Sequence, residues 1–176
     1  MATQLITLAV PIQKYLQHYS PHVLAQVQQM LDEKRLAQHI LKKYPTPHNI
    51  ANDQALREYT QLIKNQHMKK SAPLSKVIYD GKIQSVQRAL GLHSYVSRVQ
   101  GGKLKSKHEI RISNAFKKAP EALLNMIVVH ELAHLNEKAH NKAFYRLCEH
   151  MLPDYHQLEF DMRLYLVQLE TTGSLY

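Results

Sequence analysis

Apolar positions along this chain change their spacing twice. After Ser20-Pro21, a capping serine followed by proline at a first helical position, Val23, Val27, Met30, Leu31, Leu36 and Ile40 recur at helical intervals. They predict one helix running to Lys43, ended by Tyr44-Pro45-Thr46-Pro47. Asn49 or Asn52 caps a second helix to about residue 70, with Leu56, Tyr59, Leu62 and Ile63 as its buried stripe and Pro73 beyond it.

The middle of the chain reads differently. Val77-Ile78-Tyr79 is a short β-type run before Asp80-Gly81, and residues 83–90 suit a short helix closed by Gly91. Tyr95, Val96 and Val99 favour a strand over 93–99, and Gly101-Gly102 allows a turn. Residues 108–113 alternate, with Ile110 and Ile112 on one face and Glu109 and Arg111 on the other. These two strands are expected to form an antiparallel sheet.

Pro120-Glu121 then opens the strongest helix, with proline at its start and an acid in its first turn. Leu123, Leu124, Ile127, Val128 and Leu132 make it apolar nearly all round, which puts it at the centre of the fold. Two more helices follow at 142–151 and 155–170, separated by Pro153. The expected class is α+β: a short antiparallel sheet beside a central helix, with helices N- and C-terminal to them.

Composition changes this picture little. A hydrophobic content of 44 % in 176 residues supports a packed core. The single cysteine, Cys148, excludes an intramolecular disulfide and a Cys-rich zinc ribbon, and reads as a core thiol. No basic residue precedes the short apolar run at 5–10, and no stretch is long enough to cross a bilayer. The expected location is the cytoplasm, without a membrane partner. The net charge of +9 is uneven, with the excess in residues 1–118 and a net acidic remainder. Arg98, Lys103, Lys105, Lys107, Arg111, Lys117 and Lys118 cluster against Glu109 alone. This cluster reads either as a surface for phosphates or nucleic acid or as a solvated strand face.

The chemistry concentrates in the central helix. His130-Glu131-Leu132-Ala133-His134 is an H-E-x-x-H motif, and residues four apart on a helix share a face. His130 and His134 are thus candidate metal ligands. Glu131 is the candidate base that takes a proton from metal-bound water. Neutral imidazoles suit zinc, although other divalent metals accept them. His140 is the favoured third ligand, at the spacing of the metzincin pattern, with Glu137 where that pattern has glycine. Six residues of straight helix turn through about 600°, so the helix must stop between Leu135 and Ala139, with Asn136 best suited to a left-handed turn. Glu149 and Glu159 are alternative ligands. Tyr145 and Tyr155 are either oxyanion donors or packing residues, and Arg98, Lys103 and Lys105 are either substrate contacts or solvated charges.

The run from Ile127 to Leu135, followed by His140-Asn141-Lys142-Ala143-Phe144-Tyr145 and Pro153-Asp154-Tyr155, resembles the YgjP-like metallopeptidase-domain family. The resemblance implies a small zincin-like α+β fold with the H-E-x-x-H helix beside a short sheet; that domain is expected over 73–176, with a helical region over 1–72, the two forming one compact unit. It implies ligand roles for His130, His134 and His140 and the base role for Glu131. The family's R-W-G-S-C-type segment is matched here by residues 97–102 without Trp or Cys, which implies different substrate contacts. A zinc-dependent hydrolase of the metallopeptidase type is the first functional expectation. The YgjP branch also implies a metal-dependent nucleoside triphosphate pyrophosphatase acting on UTP. The DNA-associated SprT-like relatives keep open a nucleic-acid-binding role for the basic face. The substrate is therefore a peptide or a nucleotide, and the oligomeric state is open.

Overall fold

The computed structural model describes residues 8–83, 92–100 and 103–176, with side chains described outside 92–107. It is α+β. The helices are α1 (Val10–Leu16), α2 (Pro21–Asp32), α3 (Leu36–Lys43), α4 (Asp53–His67), α5 (Glu121–Ala133), α6 (Lys142–Met151) and α7 (Tyr155–Thr172). The strands are β1 (Leu74–Asp80), β2 (Leu92–Gln100) and β3 (Lys103–Ser113). The expected helix over 83–90 lies outside the described residues.

The chain divides into two compact units, one of residues 1–46 and 160–176, the other of residues 47–159. In the first, the expected single helix over 21–43 is instead α2 and α3. The break is a Schellman-type turn: Lys34 N–H donates to Leu31 O at 2.9 Å and Arg35 N–H to Met30 O at 2.8 Å. It places Lys34 at φ 55°, a left-handed conformation usually given to glycine. The apolar spacing carries across this turn, so periodicity alone did not reveal it. Asp161, buried on α7, accepts from Lys43 at 2.5 Å and from the Tyr44 hydroxyl at 2.6 Å. Arg163 donates to the Tyr15 carbonyl at 2.9 Å.

In the second unit, Asn52 caps α4 by accepting from Ala55 N–H at 2.9 Å, as its side chain suggests. The buried face of α4 is Leu56, Thr60 and Lys64, one full turn apart each time. Leu62, expected in the buried stripe, is 66 % exposed because it lies off that face. Thr60 fits the buried face by donating to the Leu56 carbonyl at 2.7 Å. Lys64 does so by extending its ammonium to the Ser71 carbonyl at 3.2 Å.

The sheet has the order β1-β3-β2. It is mixed rather than the wholly antiparallel sheet expected: the expected antiparallel pair is β2 and β3, but β1 and β3 pair in parallel, with Val77 opposite Ile110 and Tyr79 opposite Ile112. After β1 the chain reaches the far position of the sheet before β3 enters between the two, running alongside β1 in the same direction. β2 runs opposite to β3, with Arg98 paired to Lys105 and Gln100 to Lys103. Ile110 and Ile112 are fully buried. On the other face Arg111 bridges Asp80 at 3.1 Å and Glu109 at 3.2 Å, so its charge is already matched.

A 3-10 turn (Asn114–Phe116) leads from β3 towards α5. His48, 8 % exposed, ties this turn to the start of the unit. Its Nδ1 accepts from Ile50 N–H at 2.9 Å, so Nε2 carries the proton and donates to the Phe116 carbonyl at 2.7 Å. Backbone N–H of His48 donates to Ala119 O at 3.0 Å, next to the Pro120 cap of α5. No helix among the described residues is long and apolar enough to cross a membrane.

Two outcomes test this description. Lys34→Gly should relieve the left-handed strain and raise stability by up to about 1 kcal/mol in chemical denaturation. His48→Ala should cost about 1–3 kcal/mol, because it strands a buried N–H and a carbonyl.

Candidate metal centre

α5 is buried along most of its length, from Leu123 through Ala133, with Asn125 partly covered. Within that apolar cylinder lie two ionisable side chains, His130 at 4 % and Glu131 at 1 % exposure. Burial pushes the Glu131 carboxyl well above the usual carboxylate range. Ionising it there requires nearby positive charge.

The helix ends at His134, and the following turn carries the chain round towards His140. The reversal is made by Leu135 N–H to Leu132 O at 3.0 Å, Asn136 N–H to Ala133 O at 3.1 Å and Glu137 N–H to Ala133 O at 3.0 Å. Asn136 does not take the left-handed conformation expected of it, since Lys34 is the one non-glycine residue with positive φ among the described residues. Stacked turn bonds end the helix in its place. Asn141 then caps α6, its side chain accepting from Phe144 N–H at 2.8 Å.

This route brings three imidazoles together. One ring nitrogen from each of His130, His134 and His140 lies within 4.8 Å of the others. Among the described residues this is the one group of three or more His, Cys, Asp or Glu side chains placed to hold a metal ion. His134 Nδ1–H donates to the Glu137 carbonyl at 2.9 Å, which leaves its Nε2 lone pair for a ligand. His130 Nδ1 meets the Tyr155 hydroxyl at 2.6 Å, while its Nε2 faces His140 Nε2 at 3.1 Å. Burial lowers the pKa of both His134 and His140, favouring the neutral form that binds a metal; Glu159 opposes the shift at His140.

Phe144 forms the apolar wall of this cluster. It is fully buried, and its ring centroid lies 4.9 Å from that of His130, 4.6 Å from His134 and 4.8 Å from His140. Sequence reasoning met Phe144 only within the family resemblance. The amphipathic spacing of Phe144, Cys148 and Met151 on α6 was the local signal for it.

The other anticipated residues fall elsewhere. Tyr155 is fully enclosed, with its hydroxyl on His130. Tyr145 is half-buried, its ring 6.4 Å from His140 and 6.3 Å from Tyr155. Glu149 lies 3.5 Å from His156 and outside the three-histidine cluster, as does Glu159. The side chains of Arg98, Lys103 and Lys105 lie outside the described residues.

Residues 21–164 match the family model described as YgjP-like, metallopeptidase domain. The chain is 58 % identical over 155 residues to a UTP pyrophosphatase of Escherichia coli (strain K12), covering 88 % of this chain and 93 % of that relative. No solved structure matches.

Phe144→Ala should lower stability by about 3–5 kcal/mol, the usual cost of emptying a buried aromatic site. It should also weaken metal retention, measured by dialysis against a chelator, because the three imidazoles lose their shared wall.

Proposed function

The chain belongs to the YgjP-like metallopeptidase-domain family, and we propose that it is a zinc-dependent nucleoside triphosphate pyrophosphatase that hydrolyses UTP. The observation that carries this reading is the convergence of His130, His134 and His140 beside buried Glu131, in a chain 58 % identical to a UTP pyrophosphatase.

The donor set fits zinc. Three neutral imidazoles around a tetrahedral zinc, with Zn–N near 2.0–2.1 Å, stand roughly 3.3–3.4 Å apart. His130 Nε2 and His140 Nε2 approach this spacing at 3.1 Å. Three protein ligands leave a fourth position open, as a catalytic rather than a structural site requires. The cation would also offset the cost of ionising Glu131. When bound, zinc would acidify a water molecule and polarise a phosphoryl oxygen.

The chain's own residues then have separate tasks. His130, His134 and His140 hold the ion. Glu131 takes the proton from the attacking water at its carboxylate. Water oxygen bonds to the α-phosphorus, the α–β bridging P–O bond breaks, and pyrophosphate leaves with the bond's electron pair, giving UMP. Arg98, Lys103 and Lys105 are candidate phosphate contacts, with Tyr145 at the cluster's side. Arg111 is not among them, since Asp80 and Glu109 already engage it.

The same apparatus would serve a peptide carbonyl, and the H-E-x-x-H motif by itself favours that reaction. The family's metallopeptidase description supports this second reading. The pyrophosphatase reading ranks first because the named relative covers nearly the whole chain. The buried thiol of Cys148 accords with a cytoplasmic location.

The test is release of UMP and pyrophosphate from UTP by zinc-loaded protein. Glu131→Gln should retain the metal and lose turnover by about 100-fold or more. Loss of the metal in that variant would contradict the base role. His140→Ala should lose both the metal and turnover; undiminished zinc content would return the search to Glu149 and Glu159. Cleavage of a peptide library with no UTP turnover would favour the second reading.

A further inference from the structure

Tyr155 is the first residue of α7, and its backbone N–H donates to the Leu152 carbonyl at 2.9 Å. Its ring is fully buried and lies nearly parallel to that of His130, at 16° with centroids 6.4 Å apart. The hydroxyl sits 2.6 Å from His130 Nδ1. The thiol of Cys148, also buried and carried by α6, is among the groups that act on it electrostatically. A tyrosine hydroxyl has one proton to give and lone pairs to accept with.

One arrangement leaves His130 Nε2 free for a ligand: His130 Nδ1–H donates to the Tyr155 oxygen. His130 is then fixed in the tautomer whose lone pair is on Nε2, the nitrogen facing His140. Without the hydroxyl, either tautomer is open to His130, and one of them turns an N–H towards the metal position. The ring plane would also lose its anchor.

We propose that Tyr155 is a positioning residue that holds the metal-binding tautomer and orientation of His130. This rests on the reading of His130, His134 and His140 as metal ligands. A hydrogen-bonded partner on the distal nitrogen of a ligating histidine commonly changes metal affinity by about 10–100-fold. It also explains why a fully buried tyrosine places its hydroxyl on His130, which core packing alone does not require.

The experiment compares the full chain with its Tyr155→Phe variant, which keeps the ring and removes the oxygen. Zinc affinity is read by competition with a chromophoric chelator, alongside the melting temperature of the metal-free proteins. We expect a loss of zinc affinity of about 10-fold or more, with metal-free melting altered far less than in Phe144→Ala. Affinity within twofold of the parent would overturn the inference while leaving the three-histidine site standing. Failure of the parent itself to bind zinc would overturn the ligand reading and this inference together. Nitrogen-15 NMR of His130 in the zinc-loaded parent gives an answer even where Tyr155→Phe does not fold. A protonated Nδ1 with metal-bound Nε2 supports the proposal, and the opposite assignment overturns it.

Discussion

The central constraint is the burial of ionisable side chains inside α5. A helix whose other residues from Leu123 onward are apolar and covered, apart from a partly covered Asn125, also holds His130 and Glu131 where water hardly reaches. Each must find compensation within the fold. The end of α5 and the loop after it supply a second and third imidazole, and α7 supplies a hydroxyl behind the first. A divalent cation at their meeting point would complete the balance for Glu131. Several local features of the second unit follow from this demand. The helix stops at His134, Glu137 turns its carbonyl to that ring, and Asn141 starts a new helix that seats Phe144 under all three histidines.

The apolar wall and the polar network are complementary. Phe144 covers one side of each imidazole without competing for their nitrogens. The remaining ring nitrogens of His130 and His134 are engaged by Tyr155 and by the Glu137 carbonyl, which directs their Nε2 atoms to a common point. Preorganisation of this kind is set by groups that never touch a substrate.

What the sequence revealed follows the range of its signals. The central helix, α6 and the start of α7 were legible because proline, asparagine and apolar spacing act within one or two turns. The grouping of His130, His134 and His140 was legible for the same reason, since ten residues of chain link them. Three features were not. The break at Lys34 preserves the apolar rhythm while using a left-handed lysine where glycine would have announced the turn. The parallel β1–β3 pair depends on which strand inserts between the others, which alternation within a strand does not encode. The Tyr155–His130 bond joins residues 25 positions apart, and nothing local distinguishes that tyrosine from a packing one. The parallel pair nevertheless leaves Ile110 and Ile112 buried, so the inward face of β3 and its antiparallel neighbour β2 were read correctly, although its parallel neighbour β1 was not.

The most direct test of this account is a crystal structure of the metal-loaded protein, with anomalous scattering recorded at the zinc edge. The account predicts a single strong peak bound by Nε2 of His130, His134 and His140, at about 2.0–2.1 Å from each. A peak held by other side chains, or one in which His140 points away and Glu149 or Glu159 takes its place, would contradict it.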